Sequence, residues 1–282
     1  MQRLATTDAM SAWAAEQRAA GLRIGFVPTM GFLHAGHASL MRLLRDRVDR
    51  LVVSVYVNPL QFGPDEDLDR YPRDAEGDAA LCRAEGVDAL FMPDELYPDG
   101  FSTQVAVHGL TDHLCGRGRP GHFEGVATVC TRLFHLVRCQ EAAFGEKDFQ
   151  QLMVLRRLVT DLALPVRIVP GAIARAPDGL ALSSRNAYLS EHDRARAPSL
   201  QRALRWLAEE VDAGERCVDT LIAGAKARID SDGVEYLEVM DAATLQPVDA
   251  IGDRPARALV AARYGATRLI DNVAVGAPLT WT

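Results

Sequence analysis

Over the first 170 positions the apolar residues alternate between short continuous runs and helical periodicities. Residues 7–20 read as a helix closed by Gly21, and 22–28 (LRIGFVP) as a buried strand. Leu40, Met41, Leu43, Leu44 and Val48 then recur at helical spacing, and the β-branched run at 50–57 predicts a central strand. A polar loop at 58–74 leads to a helix ending near Glu85 and a short strand at 88–93. Residues 94–121 read as irregular, with one strand at TQVAV, 103–107. A helix at 123–139, a strand at 141–145, a helix at 148–162 and a strand at 165–171 follow. Strands alternating with helices predict a Rossmann-like parallel α/β sheet with helices on both faces.

After about residue 176 the pattern changes. Two helical segments, near 191–213 and 216–230, precede two stretches that read as antiparallel strands, 234–248 and 256–273. Their turns fall at Asp241–Thr244 and Tyr264–Ala266. The expected organisation is a domain over 1–176 and a smaller C-terminal α+β domain over 177–282.

Composition narrows the class. The chain has 282 residues and is 48% hydrophobic, enough for a sizeable core. Its net charge of −7 argues against a general nucleic-acid binder and against an anionic membrane surface. No apolar run is long enough to span a bilayer, and the N-terminus lacks the apolar core of a secretory signal. The five cysteines are scattered and never form C-x-x-C, which fits reduced thiols in a cytosolic protein.

The candidate chemistry lies where strands end. In GFLHAGH, His34 and His37 flank Gly36 at a strand-to-helix junction. Ligands of open α/β sheets bind beyond the carboxyl ends of the strands. A helix start there offers unpaired N–H groups to an anion, and imidazoles at i and i+3 can face the same phosphate. Metal binding and simple packing are the competing readings, although neither H-E-x-x-H nor a nearby cysteine supports a metal. At the next strand end, Asn58 and Gln61 supply amides suited to a small polar substrate, or ordinary Asn-Pro turn chemistry. FGEKDFQQL, 144–152, places Lys147 at a third strand end, where its ammonium could reach a phosphate. Asp148 reads as a helix cap there, with Gln150 and Gln151 in the first turn. Ser183, Ser184 and Arg185 combine hydroxyls with a guanidinium, a set that can wrap phosphates.

GRGRPG, 116–121, matches a dinucleotide-binding fingerprint in letters only. It follows polar residues rather than a strand and contains Pro120, so it reads as a mobile basic loop in which Arg117 and Arg119 could approach a phosphate.

Taken together, VPTMGFLHAGH, VNPLQFG with DLDRYPRD, RPGHFEGV, FGEKDFQQL, LSSRNAYLS and RLIDN resemble the pantothenate synthetase family, the AMP-forming pantoate–β-alanine ligases. The resemblance runs from about residue 20 to 273. The H-x-G-H pair is shared with the wider nucleotidyltransferase superfamily, whereas GEKDFQQL and LSSRN are more specific to this family. The resemblance implies ATP-dependent condensation of (R)-pantoate with β-alanine through a pantoyl adenylate, giving pantothenate, AMP and pyrophosphate. It also implies Mg2+ accompanying ATP, a smaller domain acting as a lid, a homodimer and a cytoplasmic location.

It further implies residue roles. Met30, Gly31, Phe32, Leu33, His34, Ala35, Gly36 and His37 would line the nucleotide, with His34, His37 and Lys147 catalytic. Gly145, Glu146, Lys147 and Asp148, the Ala174 backbone, and Leu182, Ser183, Ser184 and Arg185 would complete the ATP site. Gln61 and Gln151 would bind pantoate, supported by Asn58 and Tyr71. No direct metal ligand is assigned. A plain nucleotidyltransferase with another acceptor, and a nucleotide-binding sensor on the same fold, are the alternatives.

Overall fold

The computed structural model describes residues 1–64 and 66–281. Asp65, inside the predicted 58–74 loop, and Thr282, the last residue of the second predicted domain, lie outside the described residues. The chain forms two compact units. The first comprises Met1–His108, Arg119–Glu146 and Gln151–Ala172. The second comprises Gly109–Gly118, Lys147–Gln150 and Ile173–Thr282.

The first unit is built on a parallel sheet. Its strands are β1 (Gln2–Leu4), β2 (Ile24–Thr29), β3 (Arg50–Val55), β4 (Ala89–Phe91), β5 (Glu141–Gly145) and β6 (Arg167–Gly171), in the order β1-β4-β3-β2-β5-β6. Every pair is parallel, with Phe26 beside Val52 on one flank and Ala142 on the other. The helices are α1 (Thr7–Ala19), α2 (Ala35–Arg45), α3 (Ala75–Ala84), α5 (His122–Val137) and α6 (Phe149–Asp161), whose first two residues fall in the second unit. On one face Leu40, Met41 and Leu44 of α2, with Ala79 and Cys82 of α3, pack onto Val27, Leu51, Val53, Leu90, Ala143 and Val169. Burying such a leucine or valine side chain is worth about 1.5–3 kcal/mol. On the other face, Phe134 of α5 packs edge-on against Phe26 and Phe144, at 6.5 and 6.4 Å between ring centres. Alternate strand residues thus serve opposite faces, as the pleat requires.

The chain runs outward from β2 through β3 to β4, then returns to β5 on the other side of β2. The strand order therefore reverses between β2 and β5. Their carboxyl ends form the crevice where ligands of such sheets bind.

The second unit carries an antiparallel sheet of β7 (Gly233–Asp241), β8 (Pro255–Tyr264) and β9 (Thr267–Gly276). Leu200, Leu204, Leu207 and Val211 of α8 (Ser199–Asp212) and Leu221 and Ala225 of α9 (Val218–Lys226) share a core with Leu237, Val239, Ala258 and Val260. Asp241 closes its turn through Oδ1, which accepts the N–H groups of Ala243 and Thr244 at 2.9 Å each.

Four sequence expectations are corrected. TQVAV forms no strand: the Val105 N–H donates to Thr128 Oγ1 at 2.9 Å instead of to a ladder. The helix expected at 191–213 is two, α7 (Glu191–Arg196) and α8, separated at Pro198, which has no N–H to continue the ladder. The helix expected at 216–230 is the shorter α9. The expected basic loop at 116–121 begins inside a short helix, α4 (Leu114–Gly118), and its arginines are paired. Arg117 binds Glu238 at 2.5 Å, within the second unit. Arg119 binds Glu66 at 2.6 Å, within the first.

Candidate active site

The turn from β2 into α2 has an unusual backbone. Gly31 (φ +88°) and Phe32 (φ +51°) both lie in the left-handed region, which a non-glycine residue adopts only when held there. A Cβ on Gly31 would come within 2.9 Å of Val55 Cγ1, so this position needs glycine on two counts. The holding group is Asp78 of α3. Its buried carboxylate accepts the N–H of Phe32 at 3.0 Å and of Leu33 at 2.6 Å. Burial pushes this carboxyl above the usual aspartate range, and the two N–H donors only partly offset that. Thr29 Oγ1 adds a bond to the Ser54 carbonyl at 2.7 Å and accepts the Gly31 N–H at 3.2 Å.

The two histidines follow as a reciprocal cap on α2. His34 Nδ1 accepts the Gly36 N–H at 3.1 Å, and His37 Nδ1 accepts the His34 N–H at 3.2 Å. Their ring centres are 4.2 Å apart. This corrects the expectation that the N–H groups at the start of α2 stand unpaired for an anion, because that of Gly36 and that of the capping residue His34 meet imidazole nitrogens. A backbone N–H can only donate, so each facing Nδ1 is unprotonated. The proton of each neutral ring sits on Nε2, the nitrogen away from these amides. Each histidine is therefore built as a hydrogen-bond donor, with the positive end of the helix dipole behind it.

After β3 the chain makes a short 3-10 turn, Pro59–Gln61, capped by Asn58. Asn58 is 1% exposed and Gln61 8%, too buried for ordinary surface turn residues. Gly125 of α5 lets that helix press against the turn, since a Cβ there would lie 2.2 Å from the Leu60 carbonyl oxygen. The Gln61 carbonyl accepts from His122 Nδ1 at 2.8 Å and from Arg119 Nη2 at 3.3 Å. The Gln61 side-chain NH2 meets Met30 Sδ at 3.0 Å. Tyr71 is buried, edge-on to Phe62 at 6.0 Å. Gly145 and Glu146 continue from the end of β5. Met30, His34, His37, Asn58, Gln61 and Gly145 thus belong to one unit and sit at carboxyl ends of β2, β3 and β5, with Gln151 in α6 of the same unit.

Lys147, Asp148, Ala174 and Leu182–Arg185 fall in the second unit. Lys147 Nζ lies 3.7 Å from Asp148 Oδ2, and its carbonyl accepts from Asn272 Nδ2 at 2.9 Å. Asn272 is in turn held by Arg257 Nε at 2.6 Å, and the Arg257 guanidinium stacks 4.1 Å from the centre of the Phe149 ring. The Ala174 carbonyl accepts the Leu182 N–H at 2.9 Å, joining two of the expected nucleotide contacts in one hairpin. Ser183 Oγ accepts the Arg185 N–H at 3.3 Å and caps the 3-10 turn Ser184–Tyr188. Gln150, beside the expected substrate ligand Gln151, has a different task. Its carboxamide pins Gly109–Gly118 through the Cys115 N–H (3.0 Å) and the carbonyls of Leu110 (3.0 Å) and His113 (2.9 Å).

Asp78, Gly125 and Asn272 were not singled out as site residues from sequence. Gly125 and Asn272 do lie in the RPGHFEGV and RLIDN motifs, a signal of position without role. Asp78 lies in no motif, and only its acidic position in the first turn of a helix marks it.

Comparison with known proteins decides the family. The model of the pantoate-beta-alanine ligase family matches residues 2–274. The chain belongs to this family. A pantothenate synthetase of Pseudomonas paraeruginosa is 50% identical over 281 residues, covering 98% of this chain and 99% of that protein. One from Rhodospirillum rubrum is 52% identical over 262 residues, covering 92% and 93%. The crystal structure of pantothenate synthetase from Thermus thermophilus superposes with a TM-score of 0.89 at 47% identity, covering 97% of this chain and 99% of that one. A pantoate-beta-alanine ligase from Francisella tularensis, complexed with beta-gamma ATP and beta-alanine, gives a TM-score of 0.80 at 30% identity, covering 97% of each chain.

Proposed function

We propose that this chain carries out its family's ligation, joining (R)-pantoate to β-alanine at the expense of ATP, in two displacements. The pantoate carboxylate oxygen attacks the α-phosphorus of ATP, the bond to the bridging oxygen breaks, and pyrophosphate leaves. The β-alanine amine then attacks the acyl carbon, the C–O bond to AMP breaks, and the amine proton passes to solvent or base. A carboxylate has no usable leaving group, and adenylation supplies one. The protein's task is alignment and the placing of donors where phosphate charge shifts.

The observation that carries this reading is the reciprocal histidine cap at the sheet's switch point. The cap engages both Nδ1 atoms with backbone N–H groups, and in this reading the Nε2–H groups serve the nucleotide's phosphates at the helix start. His34 and His37 donate to the phosphates, with His37 closest to the transferring group. Lys147, Ser183, Ser184 and Arg185 hold phosphate and leaving pyrophosphate. Gly31–Gly36, Gly145–Asp148, Ala174 and Leu182 contact the nucleotide. Because Asp78 engages the Phe32 and Leu33 amides, these two residues contribute shape rather than main-chain donors. Gln61 and Gln151 bind pantoate, with Asn58 and Tyr71 behind them.

Mg2+ enters as part of the MgATP substrate. Among the described residues there is no group of three or more His, Cys, Asp or Glu side chains that could hold a metal ion; in this reading the phosphate oxygens of ATP carry Mg2+ into the site. Among the described residues no helix is long and apolar enough to cross a membrane. A homodimer and a cytoplasmic location, both implied by the family resemblance, complete the reading.

Acceptor-dependent release tests it. AMP release should require both pantoate and β-alanine at steady state. Pyrophosphate release driven equally well by a phosphate-bearing acceptor would instead select a plain nucleotidyltransferase.

A further inference from the structure

We propose that Tyr97, which lies in none of the motifs above, is a positioning residue. Acting through Asn58, whose amide orientation the backbone sets, its phenol holds in place the side chain that decides which end of the Gln61 carboxamide meets the substrate. The inference rests on the reading of Gln61 as a pantoate-binding residue.

Two partners of Asn58 have only one possible role each. The Leu60 N–H, at 3.3 Å, can only donate, so the Asn58 atom facing it is Oδ1. The Gly125 carbonyl, at 3.0 Å, can only accept, so the atom facing it is Nδ2. The backbone therefore decides the orientation of the Asn58 amide. The Tyr97 O–H donates to the same Oδ1 at 2.9 Å, the shorter of its two bonds. The second hydrogen of Nδ2 goes to Gln61 Oε1 at 3.1 Å. Gln61 Oε1 is then already accepting, and its NH2 group is the end turned toward Met30 Sδ.

A thioether is a weak acceptor. A carboxylate or hydroxyl oxygen in its place makes a stronger bond. Gln61 consequently reads its substrate as a donor, and the ligand class it selects is an oxygen acceptor such as the carboxylate or hydroxyl of a hydroxy acid. Flipping either amide inside this buried pair would set donor against donor or acceptor against acceptor. Tyr97 is itself located by packing, with ring centres 4.6 Å from Phe101 and 6.1 Å from Tyr56. Burial pushes its phenol up, so it stays a protonated donor.

Tyr97→Phe keeps the ring packing and removes only the donor. In the full chain it should raise the pantoate KM about 3- to 10-fold, leaving the ATP KM and the thermal midpoint near wild type. In a Gln61→Ala background the same change should leave the pantoate KM nearly unmoved, because the group it positions is gone. Gln61→Glu, which exchanges the donor for an anion, should raise the pantoate KM beyond that of Gln61→Ala. Equal Tyr97→Phe effects in both backgrounds, or parallel losses in ATP KM and stability, would overturn the positioning role. A Gln61→Glu enzyme that uses pantoate like wild type would overturn the donor assignment. A wild-type pantoate KM in Gln61→Ala would overturn the reading of Gln61, and this inference with it.

Discussion

The Asp78 carboxylate accepts the main-chain N–H of Leu33 at 2.6 Å, across 45 positions of sequence, and that of Phe32 at 3.0 Å. This pair of bonds holds a left-handed Phe32 immediately before the histidine cap. Replacing one oxygen with an NH2 sets a donor against one of those amides. Asp78→Asn should therefore destabilise the chain by about 1–3 kcal/mol. It should also displace His34, and misplacement of about 1 Å can cost up to ~10²-fold in kcat. Steady-state kinetics with a melting curve check this, and wild-type kcat would remove Asp78 from the account.

The histidine cap separates two tasks of one ring. In His34→Asn the amide oxygen can still accept the Gly36 N–H, since asparagine is a good N-cap, but no donor remains at the Nε2 position. The variant should keep its thermal midpoint and lose about 10²–10³ in adenylation rate, the usual effect of removing one transition-state donor. His34→Gln, which restores a donor near Nε2 but not the cap, should recover part of that rate while melting lower. A His34→Asn enzyme with normal rate would show that the Nε2–H is not used.

Far from the site, at the amino end of β5, Glu141 is buried among Arg23 (3.0 Å), Arg47 (2.6 Å) and Arg167 (2.7 Å). Burial alone would raise its carboxyl. Hydrogen bonds and charge from Arg47 and Arg167 outweigh burial and hold it below the usual glutamate value of 4.5. The stability this supplies is complete above that value and is lost as pH falls through the lower folded value. Glu141→Gln should thus lower stability at pH 7 by about 1.5–3 kcal/mol, toward the small end because the arginines reach solvent. The gap to wild type should close in the acid range, below the unfolded carboxyl's titration. A gap unchanged from pH 7 down to acid unfolding would contradict the ion-pair origin.

Local pattern made much of this molecule legible. Strands β2 to β6 and their ends followed from apolar runs, whereas the short edge strand β1 did not; the three strand ends carry Met30–His37, Asn58–Gln61 and Gly145. Legibility failed where a partner distant in sequence decides the structure. TQVAV has a strand's composition, yet Val105 donates to Thr128, so alternation without a pairing neighbour made no strand. The helical period across 191–213 hid the break that Pro198 imposes. Asp78, Tyr97 and Asn272 act on Leu33, Asn58 and Lys147 through contacts spanning 45, 39 and 125 positions, which no local spacing encodes. The histidines were visible as a pair, but their tautomers were not, because these depend on which backbone N–H each Nδ1 faces.

The most direct test of the adenylate route is isotope exchange between pyrophosphate and ATP in the presence of pantoate alone. Exchange that requires pantoate, proceeds without β-alanine and falls about 10²–10³-fold in His34→Asn is the predicted result. Exchange that appears only when β-alanine is also present, or that proceeds without pantoate, would contradict it.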